Sequence, residues 1–175
     1  VNSTLSLELE PKNSRIVIGH DTRPSSLIIK ELLIKTINSI DSTCVIDDVG
    51  LCTTPQVHFQ VFKNNNNIVV DYFEYYFIFM DSFLYLPFNV FVDCAHGVGK
   101  IPLFQILTWK QLGNIRLINT NTANPKALNH QCGSDYVCTH RKLPFDNIKK
   151  SNNNLYASLD GDADRVVFYF QDNDN

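Results

Sequence analysis

Leu155-Tyr-Ala-Ser-Leu-Asp-Gly-Asp-Ala-Asp-Arg-Val-Val-Phe-Tyr-Phe170 consists of two apolar runs with an acidic joint between them. Residues 155–159 and 166–170 are short, aromatic and β-branched, so both are expected to be strands. The joint carries Asp160, Asp162 and Asp164 at alternate positions, followed at once by Arg165. Gly161 and Ala163 are small enough to let a tight loop turn all three side chains toward one point. Two carboxylates ~4 Å apart repel by about 4 kcal/mol at an intermediate dielectric. A cation between them is therefore expected, and carboxylate oxygens suit magnesium or calcium better than zinc. The structural alternative is an acidic surface turn solvated by water. A helix–loop–helix calcium site fits poorly, because Arg165 stands where its sixth-position Gly is required and Gln171 where its Glu is. A haloacid-dehalogenase-type phosphatase is the competing reading, with Asp160 as nucleophile and Asp162 as acid/base. That pattern wants Thr where this chain has Asp164.

Composition narrows the class. The 175 residues are 44% hydrophobic and 19% charged, which describes a globular chain long enough for one domain or parts of two. A net charge of -3 gives no electrostatic case for nucleic acid or an anionic membrane as partner. The N-terminal residues show no charged start with an apolar core, so no signal peptide is expected. Asn2-Ser3-Thr4 then reads as a chance sequon. The chain opens on Val1 without Met and ends in a polar tail, and we expect a fragment. Five cysteines, an odd number with no Cys-x-x-Cys, point to reduced thiols and a cytoplasmic protein. His130, Cys132, Cys138 and His140 form a tempting zinc set, but their spacing is unlike that of zinc fingers.

In chain order, residues 15–19 read as a strand. The turn His20-Asp21-Thr22-Arg23-Pro24-Ser25-Ser26 opens a helix, with Pro24 in its first turn and Thr22 or the serines as caps. Ile29, Leu32, Leu33, Thr36, Ile37 and Ile40 share one helical face, expected to meet the core. A strand follows at 44–50. Strand, helix, strand at this spacing is a right-handed crossover in a parallel or mixed sheet. The turn 50–56 leads into a second helix, with Thr54 as the expected cap, Pro55 just inside, and Val57 and Val61 facing the core. Asp21 and Arg23 read as a turn-stabilising ion pair. Residues 71–86 are strongly aromatic, with Phe73, Tyr76, Phe77, Met80, Phe83 and Leu84 at helical spacing, and Glu74, Asp81 and Pro87 interrupt any long uncharged run. We expect a core-packing helix with no membrane contact, and a domain boundary at Pro87. Residues 88–94 read as a buried strand, and Ala95-His96-Gly97-Val98-Gly99 as a structural turn into a helix over 100–112. It is not a phosphate loop of the Walker type. Residues 115–119 form a further strand.

Several of these segments resemble one family. Asp-Gly-Asp-Ala-Asp-Arg, residues 160–165, resembles the metal loop of the α-D-phosphohexomutases. Gly50-Leu-Cys-Thr-Thr-Pro-Gln56 and Leu128-Asn-His-Gln-Cys-Gly-Ser-Asp-Tyr-Val137 are similar to motifs of the phosphoacetylglucosamine mutase branch, and the second explains His130 and Cys132 without zinc. The turns at 20–26 and 92–99 are also similar, with His20 in place of Arg and His96 in place of Asn. The resemblance runs from about residue 16 to 170. It implies an α/β fold of mixed-sheet βαβ units, parts of two phosphohexomutase-type domains. Residues 1–70 would be the later part of the first domain, 71–87 a connecting helix and 88–175 the second domain with the metal loop. The implied activity interconverts N-acetylglucosamine 6-phosphate and N-acetylglucosamine 1-phosphate, toward UDP-N-acetylglucosamine, through a phosphoserine and magnesium. Asp160, Asp162 and Asp164 would hold the ion, and Arg165 would steady phosphate oxygens. The family's Thr-Ala-Ser-His-Asn-Pro stretch does not occur here. The catalytic serine is thus expected upstream, and missing domains of the same protein are expected as partners. A non-catalytic metal-binding truncation is the further alternative.

Overall fold

The computed structural model describes residues 14–66, 88–110, 113–145 and 154–170. The expected helix over 71–86 and the boundary at 87 lie outside these residues.

The first expected unit is present. β1 (Arg15–His20) and β2 (Val45–Leu51) pair in parallel, and α1 (Ser26–Ile40) carries the chain between them. The register shifts by one between Ile18 and Gly19, which leaves Val49 as an extra residue and delivers Gly50 at a φ of 71°. The turn before α1 is organised by Asp21. Its Oδ1 accepts the Arg23 N–H at 3.0 Å and the Ser26 hydroxyl at 2.6 Å, and Arg23 Nε lies 3.1 Å from Oδ2. The Asp21–Arg23 pair is therefore the turn brace expected of it. Ser25 occupies the cap position without making a side-chain cap bond, so the cap expected from Thr22 or the serines is not made, and Asp21 braces the turn ahead of the helix instead.

Two expectations are corrected in this unit. The apolar face of α1 is not buried: Leu32 is 59% exposed and Ile40 81%. Two strands present too narrow a surface to cover a helix of 15 residues. In α2 (Thr54–Asn66) the buried residue is Phe59, while Val61 stays exposed. The larger ring takes the covered position, where it removes more apolar area from water.

The second sheet has the order β4-β3-β5-β6. β3 (Asn89–Asp93), β4 (Ile115–Ile118) and β5 (Asn154–Leu159) are parallel, and β6 (Val166–Tyr169) returns antiparallel to β5. α3 (Lys100–Lys110) connects β3 to β4. The short α4 (Ser134–His140) lies between β4 and β5 in the chain. Side chains alternate along β3. Val90 and Val92 join Ala157 in one apolar cluster with Leu103, Ile115 and Leu117 around it. Phe91 stacks on the other side against fully buried Tyr156, with ring centroids 5.6 Å apart, and Tyr156 stacks in turn on Tyr169 at 5.6 Å. This packing holds β5 and β6 in register, so the loop joining them starts from two fixed ends.

Candidate metal centre

The loop between β5 and β6 lies beyond the carboxyl end of β5, the edge at which open α/β sheets commonly bind ligands. It is closed by its own backbone: Asp160 N–H donates to the Arg165 carbonyl at 3.3 Å, and Ala163 N–H to the Asp160 carbonyl at 3.2 Å. Ala163 takes a φ of 58°, the left-handed conformation that lets so short a chain reverse. The result is convergent. Asp160, Asp162 and Asp164 each offer a carboxylate oxygen, and the three oxygens lie within 4.8 Å of one another.

Each carboxylate is held differently. Asp160 is buried, 4% exposed. Its Oδ1 accepts the N–H groups of Asp164 at 3.1 Å and Arg165 at 3.2 Å, and its Oδ2 accepts Arg165 Nε at 3.0 Å and Nη2 at 2.9 Å. Asp162 Oδ2 accepts the Thr54 hydroxyl at 2.7 Å, and its carbonyl accepts the Thr54 N–H at 3.1 Å. Asp162 Oδ1 lies 3.9 Å from Arg23 Nη2. Asp164 is the most open of the three, with Oδ1 3.6 Å from Arg165 Nε.

Arg165 bridges Asp160 to Asp135 on α4, which it meets through Nη1 at 2.6 Å and Nη2 at 3.2 Å. These two carboxylates, Asp135 first, push the guanidinium above its ordinary pKa, so it is charged at any working pH. Its planar fork suits this double engagement, which Lys could not reproduce. The donors on Asp160 fill the roughly four lone-pair positions of a carboxylate. Asp135 thus gives Arg165 a second anchor beside Asp160. Three convergent carboxylates with hard oxygen donors fit magnesium.

The surroundings brace the loop. Val98 N–H donates to the Gly161 carbonyl at 3.1 Å, and Asn129 N–H to the Ala95 carbonyl at 3.0 Å. Ala95 and His96 both take positive φ, so the 95–99 segment is the structural turn expected of it. Asp93, fully buried at the end of β3, ties the remaining segments. It accepts from Ala95 N–H, Asn119 Nδ2, Gly133 N–H and the Ser158 hydroxyl. A cleft of about 260 Å³ opens beside Asp162, lined by His20, Arg23, Ser26, Lys30 and Thr54 among others.

A family model described as "Phosphoacetylglucosamine mutase AMG1, domain II" matches residues 52–167. This chain belongs to the phosphoacetylglucosamine mutase family. A second family model, "Phosphoglucomutase/phosphomannomutase, alpha/beta/alpha domain I", matches residues 3–71. The phosphoacetylglucosamine mutase of Candida albicans is 37% identical over 188 residues, covering 99% of this chain and 34% of that protein. Phosphoacetylglucosamine mutase 1 of Schizosaccharomyces pombe is 35% identical over 174 residues, covering 89% of this chain and 33% of that protein. The crystal structure of Aspergillus fumigatus N-acetylphosphoglucosamine mutase in complex with GlcNAc-6P and magnesium superposes with a TM-score of 0.78 at 30% identity, covering 96% of this chain and 36% of that one. The chain thus spans about a third of the length of the relatives it matches. These relatives are mutases, which does not favour the haloacid-dehalogenase reading.

Among the described residues the aspartate trio is the group gathered as a metal could require, and the His130, Cys132, Cys138, His140 set is not. Cys132 is buried with its thiol on the Ala127 carbonyl, whereas Cys138 is exposed and His140 stacks on Tyr136. No helix of the described residues is long and apolar enough to cross a membrane. Sequence reasoning missed Thr54, Asp93 and Asp135 as parts of the site. For Thr54 a signal existed: Thr53 and Gln56 form a reciprocal capping box, with Thr53 N–H donating to Gln56 Oε1 at 2.9 Å and Gln56 N–H to Thr53 Oγ1 at 3.3 Å. Thr53, not Thr54, caps α2, because it stands three residues before the glutamine.

Proposed function

We propose that this chain is the metal-binding portion of a phosphoacetylglucosamine mutase, which interconverts N-acetylglucosamine 6-phosphate and N-acetylglucosamine 1-phosphate. The observation that carries the reading is the convergence of Asp160, Asp162 and Asp164 beside a cleft shared with the 20–26 turn. Relatives named for this activity, and the Aspergillus structure holding GlcNAc-6P and magnesium, support it. Residues 1–70 and 88–175 are assigned to parts of the first and second domains, joined through 71–87.

Phosphoryl transfer of this kind depends on positioning and charge neutralisation more than on covalent help from the protein. Asp160, Asp162 and Asp164 would hold magnesium, which when bound supplies Lewis acidity and a template for phosphate oxygens. Asp160 is pre-aimed by the N–H groups of Asp164 and Arg165. Arg165, half-exposed beside the trio, is placed to give charge-assisted hydrogen bonds to a phosphate. Arg23 adds positive charge on the cleft side, 3.9 Å from Asp162. The serine that carries the phosphoryl group belongs to a Thr-Ala-Ser-His-Asn-Pro stretch that these residues do not contain. The 175-residue chain alone is accordingly assigned metal binding without turnover. The free thiols support a reducing, cytoplasmic setting, with supply of N-acetylglucosamine 1-phosphate for UDP-N-acetylglucosamine as the biological role.

The test has two arms. Magnesium at about 100 times its Kd should stabilise the protein by about 2.7 kcal/mol, and Asp162→Asn should remove that gain. Conversion of N-acetylglucosamine 6-phosphate should occur with the full-length polypeptide that carries this segment and not with the 175 residues alone. Turnover by the isolated chain would refute the assignment.

A further inference from the structure

We propose that Thr54 is a positioning residue for the metal loop: from the β2–α2 turn, its hydroxyl holds Asp162 in the orientation that presents a carboxylate oxygen to a cation. The proposal rests on the reading of the trio as a metal site.

Three observations carry it. First, the Thr54 side chain does not cap α2, since Thr53 and Gln56 cap that helix reciprocally. Its side chain is free for another role, and the structure gives it one 108 residues away in sequence. Second, Thr54 grips one residue at two points. Its N–H donates to the Asp162 carbonyl at 3.1 Å and its hydroxyl to Asp162 Oδ2 at 2.7 Å. The backbone bond places the loop, and the hydroxyl bond sets the rotation of the carboxylate. A β-branched side chain has few χ1 choices, so the donor is itself well aimed. Third, the members of the trio differ in what orients them. Asp160 is fixed within the hairpin by two N–H groups and Arg165. The hydrogen bond that aims the Asp162 side chain comes from the other sheet's unit, and its Oδ1, at 3.9 Å from Arg23, is beyond hydrogen-bond distance and available to an ion.

Thr54 thereby couples metal binding to contact between the two units. Whatever seats the β2–α2 turn against the hairpin tightens the ion, and by linkage the bound ion tightens that contact.

The experiment measures Mn²⁺ affinity by electron paramagnetic resonance, with Mg²⁺ competition, in the full-length polypeptide that carries this segment. Thr54→Val keeps the shape and the backbone N–H and removes only the donor. It should raise the Mn²⁺ Kd about tenfold, the low end for losing a group that orients a metal ligand. Thr54→Ser, which keeps the hydroxyl, should stay close to the unsubstituted protein, and the metal-free Tm of both should change little. Thr54→Ala is the second donor-less variant should the valine fail to fold. A Kd unchanged in the donor-less variants overturns the proposal while leaving the metal site standing. A metal-free Tm that collapses in both makes Thr54 a structural tie alone and also overturns it. No Mn²⁺ binding by the unsubstituted protein overturns the metal reading, and this proposal with it.

Discussion

Gly97 and Gly161 meet backbone to backbone: a Cβ added at Gly97 would collide with the Gly161 carbonyl, the group that accepts the Val98 N–H at 3.1 Å. The turn after β3 thus presses directly on the loop that carries the carboxylates. The neighbour here is main chain in a closed hairpin, not the far end of a flexible side chain, so it cannot give way cheaply. Gly97→Ala should cost about 1–3 kcal/mol of stability, the usual range for overpacking. It should also weaken Mn²⁺ binding, because the displaced carbonyl lies between Asp160 and Asp162. Urea denaturation and metal titration of the same preparation check both parts.

The thiols should separate by reactivity. Burial, with the nearby Asp93 charge adding to it, pushes Cys94 and Cys132 up to about 12. At pH 8, four units lower, only about one in ten thousand of such groups is thiolate, the reactive form. Cys138 is exposed. A thiol reagent at pH 8 should label Cys138 in the native protein, and Cys94 and Cys132 only after denaturant is added. Mass spectrometry of the labelled peptides reads the difference.

Acid should weaken the ion pairs that tie the first unit together. The Arg15 guanidinium, hydrogen-bonded to Asp47 at 2.6 and 3.1 Å, holds that carboxyl below the usual range, with help from Asn64. Lys30 does the same for Asp48. A depressed folded-state pKa means stability that is fully present above the unfolded value of about 3.9 and lost as pH falls through the folded value. Stability should therefore be flat near neutrality and decline below about pH 4. Asp47→Asn should lower stability at pH 7 and make the acid decline shallower. Denaturation midpoints at a series of pH values test the sign, and a decline equally steep in the variant would assign the acid sensitivity to other groups.

What could be read before any coordinates was local. Two apolar runs around Asp160, Asp162 and Asp164 specify a hairpin, and alternate spacing with small residues between specifies convergence. Asp21 and Arg23 sit two apart in a turn, close enough to pair whatever surrounds them. What could not be read is non-local or depends on what covers a surface. Thr54 and Asp162 are 108 residues apart, and nothing in either segment marks the other as its partner. Asp135 has no feature that distinguishes it from any exposed carboxylate until Arg165 is placed beside it. The apolar face of α1 follows from its periodicity, but periodicity does not say that two strands alone would lie beneath it. The α2 cap is Thr53 and not the expected Thr54, and here the signal was local, the glutamine three residues after Thr53.

Asp93 gives the sharpest test of how the site is supported. It is a fully buried carboxylate whose four hydrogen-bond donors are all neutral: Ala95 N–H and Asn119 Nδ2 at Oδ1, Gly133 N–H and the Ser158 hydroxyl at Oδ2. Because Ser158 donates its one proton to Asp93, the 3.0 Å contact between Ser158 and Tyr169 requires Tyr169 to be the donor. Tyr169 is protonated at neutral pH, since burial pushes it up to about 12. The chain of donors thus runs one way, from β6 through β5 to β3, and ends on the carboxylate. Asp93→Asn breaks that logic. Its amide nitrogen must face one of the two oxygen positions, and in either orientation a backbone N–H, of Gly133 or of Ala95, meets a donor. Ser158 and Asn119 can turn to adapt, but a backbone N–H cannot, and leaving it unsatisfied costs about 1–3 kcal/mol. Gly133 leads into α4, which carries Asp135 and so anchors Arg165. Urea denaturation should therefore show a loss of about 1–3 kcal/mol, and Mn²⁺ titration a weaker site, although Asp93 is not among the converging carboxylates. A variant within about 0.5 kcal/mol of the unsubstituted protein, the range of a neutral surface change, would mean that Asp93 does not hold these segments together.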